Sequence, residues 1–243
     1  MMEYRLNFFI GLFSFLFVQG AAIAFVSTVF QNISTLHGWN LYDILFIYAI
    51  ACLGRFIHQT FFDQLWVLGL YYVRTGNFDR LLVRPLNPLF HLISDKALNQ
   101  DGLGQLVTGI AALLYTIPHL TIEWGFLNIF LLIIMVLSSG MIFASLNLLF
   151  ATLSFWMMDS LPIMGATFQL SDFAKYPITI YPKMVSVLIT WLIPYAFTSF
   201  YPADYLLHHT GIGYLTPFIA CLLIMISYGF WKYGLTKYNS TGS

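Results

Sequence analysis

Along this chain apolar residues gather in runs too long for most soluble core helices, and polar residues gather in the short gaps between them. A helix that crosses a hydrocarbon core of roughly 30 Å needs about 20 mostly apolar residues. Five runs meet that requirement, over residues 6–30, 41–65, 98–118, 125–155 and 214–231; a sixth, 184–200, is shorter and carries Pro194. The first run exceeds the roughly 7 to 15 apolar residues of a signal-peptide core, so it reads as a retained helix. A further apolar stretch, 157–170, reads as a prolongation of the fourth span or as a segment lying along the inner interface. The pattern predicts an all-α polytopic membrane protein, folded as a single transmembrane domain over residues 1–243.

Composition agrees, with 59% hydrophobic and 8% charged residues against about 25% charged in an ordinary soluble domain. Lys plus Arg and Asp plus Glu number ten each, so only the placement of charge carries information. Lys and Arg favour cytoplasmic loops. With the N-terminus inside, Arg5, Arg74, Arg80, Arg84, Lys96, Lys175, Lys183, Lys232 and Lys237 all fall on the cytoplasmic side, and Arg55 lies within the second span. The three outer connections, 31–40, 119–124 and 201–213, then hold no Lys or Arg. Six spans with both termini cytoplasmic are therefore expected, with 74–97 and 156–183 inside. A seventh crossing over 157–170 would carry Lys175 and Lys183 outward.

Polar positions inside the spans are the next signal, because ionisable groups in hydrocarbon are costly and mark paths or pairs. Asp101, Gln105 and Thr108 form a helical stripe in the third span, suited to lining a translocation path or bonding a neighbouring helix. In the second span Arg55, Gln59 and Asp63 stand at successive helical turns, with His58 beside them. That series fits an intramembrane polar network on one face; snorkelling toward the inner interface fits equally well. Pro194, followed by Tyr195, predicts a bend near the outer half of the fifth span and a place for substrate handling. Small residues at four-residue spacing, Gly20 with Ala24 and Gly140 with Ala144, predict helix-packing seams.

Catalytic signatures are mostly missing. The sequence contains no G-x-x-x-x-G-K-[ST] phosphate loop, no H-E-x-x-H and no G-x-S-x-G. "DYLLHH" places Asp204 one helical turn from His208 with His209 adjacent, but a metal needs a further ligand, for which His119 is the remaining option on an outer loop. No metal site is assigned, and Cys52 and Cys221 read as small buried hydrophobes.

The most polar connection is "GNFDRLLVRPLNP", residues 76–88, between the second and third spans. Asn77 can cap a short helix, Asp79 suits its first turn, and Pro85 biases Arg84 away from helical geometry. Phe78, Leu81 and Leu82 then share one apolar face, with Arg80 and Arg84 as a basic edge suited to carboxylates of a partner or to anionic headgroups. Physics alone leaves docking and resting on lipid both open.

"YVRTGNFDRLLVRPLNPLF", together with "DFAKYPITIYP" and "FYPADYLL", resembles the permease of ABC-2-type ATP-binding-cassette exporters. More narrowly it resembles a six-span subgroup with a G-x-x-D-x-x-L-x-[RK]-P-L pattern, met here by Gly76, Asp79, Leu82, Arg84, Pro85 and Leu86. The resemblance spans nearly the whole chain. It implies a bacterial cytoplasmic-membrane exporter in which this chain pairs with a second permease, like or unlike, and is driven by a separate cytoplasmic ATPase that binds ATP and Mg. The chain itself would bind no cofactor, and Phe78, Asp79, Arg80, Leu81, Leu82 and Arg84 would couple it to the ATPase. Only about five residues precede the first span, too few for the amphipathic helix that many such permeases carry there. A self-sufficient secondary transporter or, more remotely, a membrane-embedded enzyme using Asp204 and its histidines are the alternatives.

Overall fold

The computed structural model describes residues 2–94, 99–157, 159–209 and 211–239, with side chains from Leu6 onward. Lys96 and Leu98, which entered the charge count and the start of the third span, lie outside the described residues. Among the described residues the fold is all-helical, with one isolated bridge between Leu36 and Trp39.

The described residues form, in order, the α-helices α1 Met2–Phe30, α2 Leu41–Phe61, α3 Asp79–Leu82, α4 Pro88–Ser94, α5 Gln100–Thr116, α6 Phe126–Thr152, α7 Ser154–Met157, α8 Leu161–Leu170, α9 Lys183–Val187, α10 Phe200–His208 and α11 Thr216–Leu235. Among the described residues four helical stretches are long and apolar enough to cross a membrane: Leu6–Phe30, Leu41–Phe61, Phe126–Met157 and Gly213–Leu235. Helix α5, with 17 residues, rises about 26 Å.

Helix α2 is the centre of the bundle. A capping box starts it: the Asn40 side chain accepts from the Asp43 amide at 3.0 Å, and the Asp43 carboxylate accepts from the Asn40 amide at 3.1 Å. It packs along α5 and α6, and α6 packs on α11. Close approach depends on glycine, as lipid offers helices no hydrophobic drive to associate. A Cβ on Gly140 would come within 2.6 Å of Ile57, and one on Gly109 within 2.9 Å of Leu53. A Cβ on Gly20 would meet nothing within 4 Å, so the seam predicted in α1 has no partner helix within the chain.

Between α6 and α11 the chain departs from the sequence expectation. Residues 184–200 form no single helix: α9 runs into a π-helical turn, Leu188–Leu192, and helical geometry stops at Ile193 (φ −127°, ψ 87°). Pro194 causes the stop, since its ring disfavours helical dihedrals at the residue before it and it has no amide to donate. A 3-10 turn, Tyr195–Thr198, then leads into α10. The Thr190 and Tyr201 hydroxyls, 3.4 Å apart, tie the two arms of this hairpin.

Residues 160–179 run antiparallel to α2 for most of its length. The Phe168 ring lies against His58, Ser171 meets Arg55, the Lys175 ammonium sits over Tyr48, and Thr179 accepts from the Trp39 indole at 3.1 Å. From His58 back to Leu41, the first residue of α2, is about 26 Å of helical rise, and Trp39 lies two residues further back. The segment 160–179, whose first part belongs to the stretch 157–170 read from sequence as an extension of the fourth span or an interfacial segment, thus runs nearly a hydrocarbon core's thickness. It escapes a search for long apolar helices because it is broken into α8, a 3-10 turn Ser171–Lys175 and another, Ile178–Ile180, with Asp172 and Lys175 in its middle.

Candidate functional site

Two constellations stand out, one buried against α2 and one on the segment between α2 and α5. The first centres on Arg55, about 21 Å along α2 from its first residue and 3% exposed. Its guanidinium reaches Asp172 Oδ1 at 2.8 Å, donates to the Ser171 hydroxyl, and lies 4.7 Å from the Phe168 ring centroid and 5.6 Å from that of Phe143. Lys175 reaches the same Asp172 oxygen at 2.9 Å and lies 5.6 Å from the centre of the Tyr48 ring. One carboxylate therefore clamps two cations, while the Asp172 side chain remains 53% exposed. Ser171 and Asp172 open the 3-10 turn after α8, and both reach Arg55.

Polar groups extend the cluster. The Tyr48 hydroxyl donates to Gln19 of α1, and the Asn147 amide of α6 lies 2.8 Å from His58 Nε2. Arg55 Nε, His58 Nδ1 and Ser139 Oγ are buried without a hydrogen-bond partner among the described residues. Tyr195, just past the Pro194 break, is buried with its ring 5.6 Å from Phe143, and Ser199 donates to the Ala174 carbonyl. The hairpin beyond α9 is thus wedged against the side of the cluster.

Of the polar series predicted within the second span, Arg55 finds its partners outside that span. Arg55 takes Asp172 and Ser171 as partners, Gln59 Oε1 is buried without one, and Asp63 falls beyond the end of α2 in a 3-10 turn, Asp63–Val67. Helical spacing was sound; a partner far along the chain outcompeted it. Asp101 sits in the first turn of α5, but Gln105 and Thr108 are buried, and Thr108 donates to the Gly104 carbonyl of its own helix at 2.8 Å. Asp172 and Lys175 were missed as site residues. Their signal was two opposite charges at i and i+3 between apolar stretches 157–170 and 184–200.

Near the N-terminal end of α2, Asp204 and His208 pair at 3.0 Å, while His119 stacks on Tyr42 at 4.1 Å. Among the described residues no group of three potential metal ligands converges.

The segment after α2 also differs from its sequence reading. Gly76 turns with φ +71°, and Asn77 does not cap α3; its amide donates to Thr75 Oγ1 at 2.7 Å and to the Tyr71 carbonyl at 3.2 Å. Helix α3 spans four residues. Phe78 is fully buried and Leu81 nearly so: Phe78 packs on Tyr238, Phe155 and Trp231 at ring distances of 5.0, 5.2 and 6.1 Å. The Tyr238 hydroxyl donates to Asp79 at 2.9 Å. Phe78, Asp79 and Leu81 therefore anchor the segment to α7 and the end of α11. Leu82, Val83, Leu86, Arg80 and Arg84 remain exposed, with Val83 at 84%. The predicted apolar face splits because α11 and its C-terminal extension supply an aromatic bed that local periodicity cannot reveal.

A family model described as ABC-2 family transporter protein matches residues 15–242. No curated protein and no solved structure matches the chain.

Proposed function

We propose, from the premise that this chain belongs to the ABC-2 family of transporter proteins, that it is a permease subunit of an exporter, with a second permease beside it and a separate cytoplasmic ATPase below. The observation that carries the reading is the exposed carboxylate of Asp172, held by Arg55 and Lys175 deep along α2. A charge there cannot face acyl chains without a heavy penalty. That face must meet a water-filled path or another protein, which two permeases side by side would supply. The sequence carries no phosphate-binding loop, which supports the reading that ATP and Mg would be bound by the partner.

In this reading the six crossings are α1, α2, α5, α6, residues 160–180 and α11, with both ends in the cytoplasm. Lys175 then lies within a crossing, where Asp172 offsets its charge, and Lys183 lies outside. The hairpin from α9 to α10 enters from the outer side and brings Tyr195 to the Arg55 cluster. Leu82, Val83 and Leu86 form the surface offered to the ATPase.

The reading is tested by affinity purification of the tagged chain from bacterial membranes. An ATP-hydrolysing subunit should accompany it in fixed stoichiometry, and export in reconstituted vesicles should require that subunit. Transport by this chain alone, driven by an ion gradient without ATP, would sink the proposal in favour of a secondary transporter.

A further inference from the structure

Tyr71, Asn77, Arg80, Arg84 and His91 line a concavity of about 130 Å³ where the π-helical turn after α2, Leu68–Val73, meets α3 and α4. Pockets that engulf a drug-sized molecule start near 300 Å³, so this one suits a single small group. Its chemistry is cationic. Arg80 and Arg84 stand four residues apart, and Arg84 Nη1 contacts His91 Nε2, which orients the guanidinium. No acidic side chain lines the concavity among the described residues. Asp79, the nearest acid in sequence, instead accepts from Tyr238.

The level of the concavity follows from its neighbours. Asn87 donates to the Tyr228 hydroxyl at 3.2 Å, and the Lys232 ammonium sits 4.9 Å from the centre of the Tyr228 ring, in the last turns of α11. Leu89 and Ile93, one turn apart on α4, face an apolar cleft of about 280 Å³ shared with Leu148 and Tyr228. Tyr71, which lines the concavity, and Phe90, the residue before His91 on α4, both remain exposed. Helix α4 therefore carries an apolar cleft on one face and a cationic concavity on another, at the level where α11 ends.

We propose that this concavity holds the phosphate of an anionic phospholipid of the inner leaflet, gripped by Arg80 and Arg84, with Tyr71 and Phe90 at the acyl boundary. Arginine forks match phosphate oxygens in pairs, and basic pockets on the cytoplasmic side of membrane helices take such headgroups. A carboxylate of the ATPase could engage the same forks, but the exposed aromatic flank and the level set by Tyr228 and Lys232 favour lipid. The proposal rests on the inner-face placement given under "Proposed function".

The test uses the purified full chain in detergent, titrated separately with phosphatidylglycerol, phosphatidylcholine and inorganic phosphate, and followed by native mass spectrometry and thermal melting. Phosphatidylglycerol should bind and raise the Tm, and the other two should do neither at equal concentration. Arg80→Gln with Arg84→Gln should weaken phosphatidylglycerol binding about 10- to 30-fold, whereas Lys237→Gln should not. Arg84→Lys, which keeps charge but loses the fork, should fall between. Equal binding of phosphatidylcholine, or inorganic phosphate as tight as the lipid, overturns the proposal in the wild-type chain, even if the double variant fails to fold. A folded double variant that keeps the lipid also overturns it, and one that keeps the lipid while losing the ATPase assigns the forks to the protein partner. Apart from that last outcome the lipid readings do not depend on the ATPase, so its absence from the purified complex would sink the exporter proposal and leave this one standing.

Discussion

Asp172 is the residue on which the buried electrostatics turn, because one of its oxygens serves both Arg55 and Lys175. Removing one partner of a buried pair costs about 3 to 5 kcal/mol, mostly for the charge left behind. Asp172→Asn should fall near the lower end, at about 3 kcal/mol, since its own side chain is half exposed. Melting in detergent would check this. Arg55→Met combined with Asp172→Asn should cost less than the sum of the single changes, because the orphaned guanidinium is gone. Simple additivity would mean that the two side chains do not act as a pair. Sequence exposed Arg55 as unusual by its position in a span. It could not name Asp172, over a hundred residues away, because an ion pair leaves no local periodicity.

Helical elements divide into those whose packing is internal and those whose faces are free. Gly140→Leu should destabilise by about 1 to 3 kcal/mol through overpacking against Ile57, whereas Gly20→Ala should leave the isolated chain unchanged. Thermal melts of the two variants separate these outcomes. The segment around α3 makes the same distinction functionally. Leu82→Asp with Val83→Asp should release the ATPase while the Tm stays near that of the wild type, as both side chains are exposed. Leu81→Asp should instead lower stability by at least 2 kcal/mol, because it puts a carboxylate into the bed that holds Phe78. An ATPase retained by the exposed double variant would remove Leu82 and Val83 from the docking surface. The turn composition and the Pro85 stop were legible in sequence; the division of its apolar residues between bed and surface was not.

For the whole molecule, the membrane path of residues 157–208 is the decisive question. Single cysteines at Thr35, Ser94 and Lys183, each in a background lacking Cys52 and Cys221, would read it with an impermeant thiol reagent on intact cells. Labelling is expected at Thr35 and Lys183 but not at Ser94. Protection of Lys183 until the membrane is opened would return 184–200 to the role of a crossing. Labelling of Ser94 with protection of Thr35 would invert the entire topology.

Hydrophobic runs and composition determined by themselves that this is an all-helical, multi-pass membrane protein, since water-averse stretches of spanning length have few other stable homes. The motif after α2 and those at residues 172–182 and 200–207 pointed to the family that the match over residues 15–242 established. Tertiary structure alone decided which stretch runs the length of α2. Residues 160–180 carry charges that make them look like a loop, yet Arg55 and Asp172 satisfy one another there. Residues 184–200 look like a span, yet Pro194 folds them into a hairpin. Both outcomes have one physical reason: hydropathy counts the cost of a polar group in isolation, whereas the folded chain counts it after the group has found its partner.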